Sequence, residues 1–103
     1  MREQLDPTIH APTRLSLVAL LAAADEAEFA FVRDHLGVSD SVLSKHASAL
    51  EAAGYVEIRK GFVGKRARTW LKLTPTGRRA FAAHVAALQR IVAQAGESVL
   101  PPQ

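Results

Sequence analysis

The side chains with the most chemical potential in this sequence are scattered rather than assembled. With no cysteine, thiolate metal sites, disulfides and a cysteine nucleophile are excluded. The four histidines, His10, His35, His46 and His84, show no i, i+4 pairing within one helix of the kind that presents two ligands to a metal. Ser44-Lys45-His46 resembles a catalytic cluster only on paper. On a helix, consecutive side chains diverge by about 100°, and His46 turns toward the buried side as a packing or capping residue. Gly61-Phe62-Val63-Gly64 matches a GXXG loop, but that loop joins two helices in RNA-binding KH domains, and here its flanks read as strands. Gly64-Lys65 lacks the upstream glycine of a phosphate-binding P-loop, because Arg59 stands there. No carboxylate pair or nucleophile–base couple is readable. The expectation is a protein without catalytic activity, metal or cofactor.

What the sequence does concentrate is positive charge. The formal net charge of +3 from 13 basic and 10 acidic residues is uneven along the chain. Residues 1–44 carry three basic against seven acidic side chains, residues 45–79 carry nine against two, and residues 80–103 one against one. A basic block of this density is a footprint for a polyanion.

The elements that would position those cations follow from periodicity. Residues 1–11, punctuated by Pro7 and Pro12, read as an extended N-terminal arm. From Pro12 to about Ala24 a helix is expected, with Pro12 in its first turn. Its apolar residues Leu15, Leu17, Val18, Leu20 and Leu21 occupy more than one face, as in a helix covered by several partners. A second helix spans about residues 27–36 and ends at Gly37. Ser39 is an N-cap and Asp40 lies in the positive first turn of a third helix that continues to about Ala53. At about 100° per residue, Leu43, Ala47 and Leu50 share one face, and Ser41, Lys45, Ser48 and Ala52 the opposite one. Residues 55–60 and 68–73 alternate apolar and polar, with Val56, Ile58, Leu71 and Leu73 inward and Trp70 outward. Joined by residues 61–67, they make a β-hairpin. Thr74-Pro75 starts a last helix, which is expected to close at Gly96 before Pro101-Pro102.

The order is therefore α-α-α-β-β-α: mainly α with a small β-hairpin (α+β). Two helices joined through Gly37-Val38 form a helix-turn-helix, and the basic hairpin follows the second. Ser39-Asp40-Ser41-Val42-Leu43-Ser44-Lys45-His46 with Leu50-Glu51-Ala52-Ala53-Gly54-Tyr55-Val56 resembles the recognition-helix signature of ArsR- and MarR-type bacterial regulators. Arg68-Thr69, then Leu71-Lys72-Leu73-Thr74-Pro75-Thr76-Gly77-Arg78, is similar to the second wing strand and last-helix start of small single-domain MarR-like winged helix-turn-helix proteins. The resemblance covers about residues 13–90. It implies a transcription regulator; the metal-sensing role of ArsR proteins is not implied, because its thiolates are missing.

The small, polar outer face of the third helix suits the major groove, about 12 Å wide. Ser39, Ser41, Val42, Ser44, Lys45 and Ser48 are the DNA-contact residues expected from helix 39–53. Lys60, Lys65, Arg66 and Arg68 are those expected from the hairpin, on the backbone or in the minor groove. The apolar excess of the first and last helices points to a two-fold dimer through Leu15, Val18, Phe81, Val85, Leu88 and Val92. The expected organisation is an arm at 1–11, a DNA-binding domain with dimerisation helices at 12–95, and a tail at 96–103. The partners expected are operator DNA and a second copy, with a small-molecule effector unspecified. The absence of cysteine, of a signal-like apolar run and of a membrane-length apolar segment points to the cytoplasm. The rival reading is a winged-helix protein-interaction module whose basic hairpin meets an acidic protein.

Overall fold

The computed structural model describes residues 4–99. Eight elements follow in order: α1 (Pro7–His10), α2 (Pro12–Ala22), β1 (Ala27–Glu28), α3 (Phe29–Leu36), α4 (Asp40–Ala52), β2 (Val56–Val63), β3 (Arg66–Leu73) and α5 (Pro75–Val99). The three strands are antiparallel in the order β1-β3-β2.

The helix boundaries are set by local chemistry. Gly37, at φ 67°, ends α3 in the left-handed conformation, where a Cβ would be strained. Two residues later the Ser39 hydroxyl accepts from the Val42 N–H at 3.2 Å and starts α4. Thr74 Oγ1 accepts from the Gly77 N–H at 2.9 Å and donates to the Gly54 carbonyl at 2.6 Å. One hydroxyl thus caps α5 and ties it to the end of α4.

The core lies between α2, α3, α4 and the sheet. Leu17, Val18 and Leu21 of α2, Val32 of α3, and Leu43, Ala47 and Leu50 of α4 meet Val56, Leu71 and Leu73 of the hairpin. The stripe and the strand alternation are those expected from the sequence.

Several boundaries differ. The arm is not extended: residues 7–10 form a helical turn, capped by the Asp6 carboxylate accepting from the Thr8 N–H at 2.9 Å, with Ile9 fully buried. The first three residues of that expected arm, and Pro101-Pro102 of the tail, lie outside the described residues. Residues 27–28 pair with β3 (Ala27↔Leu71, Glu28↔Trp70) instead of opening a helix. The hairpin is longer than expected, because its strands run on to Val63↔Arg66 and only Gly64-Lys65 turns. Gly64 has φ 63°, the positive value that the first position of a tight two-residue hairpin loop demands. Helix α5 passes through Gly96 to Val99, since an interior glycine weakens a helix without ending it.

Two elements leave the core, giving a radius of gyration of 16.5 Å and a long dimension of 66 Å, against roughly 13 Å for a compact chain of this length. They are the hairpin beyond Ile58 and Leu71, and the far end of α5.

Candidate nucleic-acid interface

The interface is built on α4 and the hairpin beside it. Helix α4 buries Leu43, Ala47 and Leu50 and leaves Ser41, Val42, Ser44, Lys45 and Ser48 exposed. Its first turn contains Asp40, whose carboxylate would repel a phosphate. Arg33 answers it: Nη1 donates to Asp40 at 2.8 Å and Nε to Asp34 at 2.9 Å. Held first by Asp34 and then by Asp40, the guanidinium is protonated even more firmly than usual. The Ser39 hydroxyl is occupied by its capping bond and stands 3.2 Å from Ser41 Oγ.

Between α4 and the hairpin runs an open groove of about 360 Å³. Ser44 and Ser48 line one side and Lys60 and Thr69 the other, over a floor that includes Ile58 and Leu71. The structure therefore brings together three of the residues expected at the interface, Ser44, Ser48 and Lys60, from elements separated in sequence. Lys65 and Arg66 are exposed at the hairpin end.

Seven of the nine cations of the basic block fall into two groups; of the other two, Arg79 donates to Thr76 Oγ1 at 3.3 Å and Lys72, on β3, makes no hydrogen bond or ion pair among the described residues. Arg59 forms two bonds to Glu26, Nε to Oε2 at 3.1 Å and Nη2 to Oε1 at 2.8 Å, and stacks 4.1 Å over the Trp70 ring. Arg59 holds the Glu26 carboxyl below its ordinary range. Arg68 is 3.3 Å from Glu28, and Arg78 donates to the carbonyls of Ala22 and Ala24, both at 3.1 Å. These three guanidinium groups are committed inside the chain. Lys45, Lys60, Lys65 and Arg66 make no hydrogen bond or ion pair among the described residues.

A second polar constellation joins α1, α5 and the α4–β2 junction. Tyr55 donates to Asp6 Oδ2 at 2.6 Å. The backbone N–H of Asp6 donates to Nδ1 of His84, which is 1% exposed. That leaves the His84 proton on Nε2, 3.3 Å from His10 Nδ1. Burial, then the neighbouring His10, lowers the His84 pKa. His46 accepts from Arg14 Nε at 3.0 Å, and burial, Arg14 and Lys45 lower its pKa too. The packing role expected of His46 thus includes a specific partner. Sequence reading missed the constellation, because its members lie 49 and 78 positions apart. A cleft of about 380 Å³ opens beside it, bounded by Leu5, Tyr55, Ala80, Ala83 and His84 among others. Among the described residues no group of three His, Cys, Asp or Glu stands close enough to hold a metal ion, and no helix is long and apolar enough to cross a membrane.

Of the residues expected at a dimer contact, Leu15, Phe81, Val85 and Leu88 are half-buried and Val92 is 69% exposed. Val18 has no exposed surface and packs in the core of its own chain. It has nothing to offer a second copy, because the apolar surplus of α2 is covered within the chain by α1, α3, α5 and β3.

A helix-turn-helix followed by a basic antiparallel hairpin, with a short strand closing the sheet, defines a winged-helix fold. The chain belongs to the winged helix DNA-binding domain family, which matches residues 13–92. An uncharacterized protein of Methanocaldococcus jannaschii is 35% identical over 68 residues, spanning 66% of this chain and 74% of that one. The transcriptional regulator homologue of Pyrococcus horikoshii OT3 has the same fold, with a TM-score of 0.80 at 23% identity over 84% of this chain and 86% of the other. A protein of Enterococcus faecalis V583 assigned to the MarR family of transcriptional regulators has a TM-score of 0.75 at 22% identity, over 88% and 82%. The fold is the one these proteins share, and it is the winged-helix fold that the two sequence motifs imply.

Proposed function

We propose that the chain is a sequence-specific double-stranded DNA-binding transcription regulator, a cytoplasmic homodimeric repressor of bacterial type with no catalytic activity. The observation that carries this reading is the sorting of the cations. Lys45 on α4 and Lys60, Lys65 and Arg66 on the hairpin have no partner among the described residues, beside a helix face of small polar side chains. In this reading α4 lies in the major groove with Ser41 and Lys45 toward base edges. Ser39, Ser44 and Ser48 line the approach, and the wing follows the flanking backbone or minor groove. Arg68 serves that wing through its pairing with Glu28.

The exposed end of α5 around Val92 supplies the dimer contact, with Leu15, Phe81, Val85 and Leu88 behind it. Two recognition helices about 34 Å apart would then meet successive major grooves. The cleft beside His84 is where a small-molecule effector would act on both α5 and the α4–β2 junction.

The test is a mobility shift on the promoter beside the chain's own gene against random-sequence DNA. A regulator binds its promoter at least about 10³-fold more tightly. Equal affinity for both removes sequence specificity, and no shift on either hands the basic hairpin to an acidic protein partner. Sedimentation at micromolar concentration tests the dimer, and a single monomeric species overturns it.

A further inference from the structure

Phe62 is the most exposed of the described large apolar side chains, at 72%, and it sits near the tip of a basic hairpin. We propose that Phe62 is a wedge that the wing inserts from the minor groove between stacked base pairs, kinking the duplex. The inference rests on the DNA-binding reading above and adds to it a deformation of the DNA and a second source of specificity.

Three features of the hairpin support it. The first is direction. Side chains alternate along β2, so Phe62 shares a face with Val56, Ile58 and Lys60. Val56 is core, Ile58 floors the groove beside α4, and Lys60 lines that groove with Ser44 and Ser48. Phe62 is the next side chain outward on the face that the recognition helix also presents. Its cross-strand neighbour is Ala67, too small to cover the ring.

The second is stiffness. One step back along the hairpin, Gly61 lets the Trp70 ring approach so closely that a Cβ there would lie 3.2 Å from it. Arg59 closes over the same ring while bound to Glu26. The tip therefore projects from a braced base, and a tight turn at Gly64-Lys65 ends it. The third is charge. Lys60 shares the face of Phe62, Lys65 and Arg66 stand at the adjoining turn, and none of the three has a partner among the described residues. Such a tip repels a second copy of itself and is drawn to the negative minor groove, only about 6 Å wide. Apolar side chains delivered there unstack a base step and bend the duplex by roughly 20–90°. The bend is easiest at the flexible pyrimidine–purine steps.

The experiment uses the full chain. Duplexes of about 30 base pairs are first selected from a randomised pool by the wild-type chain. Their end-to-end distance is then read by fluorescence energy transfer at saturating wild-type chain, Phe62→Ala or Phe62→Leu, with sedimentation of each variant alongside. The expected result is a shortened duplex with the wild-type chain and Phe62→Leu, and a straight one with Phe62→Ala. Wild-type chain prefers a pyrimidine–purine step at the wing position by about tenfold, a preference that Phe62→Ala loses while its salt dependence stays the same. Equal bending by wild-type chain and Phe62→Ala, or none by either, overturns the wedge and leaves DNA binding standing. A smaller species for Phe62→Ala with the bend intact assigns the ring to self-association and also overturns it. Recovery of no duplex by any variant overturns the DNA-binding reading itself.

Discussion

Replacing Lys65 and Arg66 together by alanine should flatten the salt dependence of DNA binding, whereas replacing Arg59 or Arg78 should not. All four belong to the same basic block, so charge counting makes them equivalent. The structure separates them. Arg59 is spent on Glu26 and Trp70, and Arg78 on the carbonyls that end α2. Lys65 and Arg66 have no such partner among the described residues. Each phosphate contact contributes about −0.9 to the slope of log K against log salt. Loss of two contacts therefore flattens the slope by about 1.8 per wing, and by about 3.6 for a dimer with both wings engaged. Between 50 and 200 mM salt, the fall in affinity shrinks by about 12-fold per wing. The assay is fluorescence anisotropy of a labelled duplex titrated at several salt concentrations, repeated on an unrelated sequence, where the loss should be the same. An unchanged slope for the Lys65/Arg66 variant would remove the wing from the interface. A slope flattened as much by Arg59→Ala or Arg78→Ala would refute the assignment of cations from their internal partners.

Three further outcomes follow from the structure. A Cβ at Gly77 would collide with the Tyr55 carbonyl and crowd Leu73, so Gly77→Ala should cost about 1–3 kcal/mol of stability, read as a lower melting temperature; an unchanged melting point would mean that α5 shifts freely. Stability should fall on acidification. His84 and His46 have folded pKa values below the ordinary ~6.5, so the unfolded chain takes up protons first. Stability is full above about pH 6.5 and drops below it by about 1.4 kcal/mol per pH unit for each group until the folded group titrates. Denaturant melts across that range should show the loss, and His84→Gln should remove part of it; a flat profile would contradict both assignments. Val92→Asp, at a 69% exposed position, should change the stability of the folded monomer itself by no more than about 0.5 kcal/mol and yield a monomer in sedimentation; a persistent dimer would move the interface off the far end of α5.

The division between what the sequence shows and what it hides follows the range of the interactions. Ser39 and Thr74 cap helices through bonds three residues long, and Leu43, Ala47 and Leu50 repeat at helical spacing, so both motifs of the interface are readable locally. The same kind of signal was present at Asp6-Pro7, an N-cap followed by proline. Beside Pro12 it reads as a broken arm, when each proline in fact occupies the start of its own helix. Strand β1 is two residues long, too short for any periodicity, and exists only because β3 lies alongside it. Val18 makes the same point about surfaces. An apolar helix face states that something covers it and not whether the cover is another chain. Here α1, an element absent from the sequence-based expectation, helps to provide that cover. The cations are the sharpest instance. Arg59 and Glu26 are 33 positions apart, and Arg78 reaches carbonyls 54 and 56 positions away. Charge segregation along the chain picks out the proposed recognition helix and wing because both are contiguous segments. Only the fold shows which cations are already held by partners of their own chain, and so which of them a phosphate backbone can still recruit.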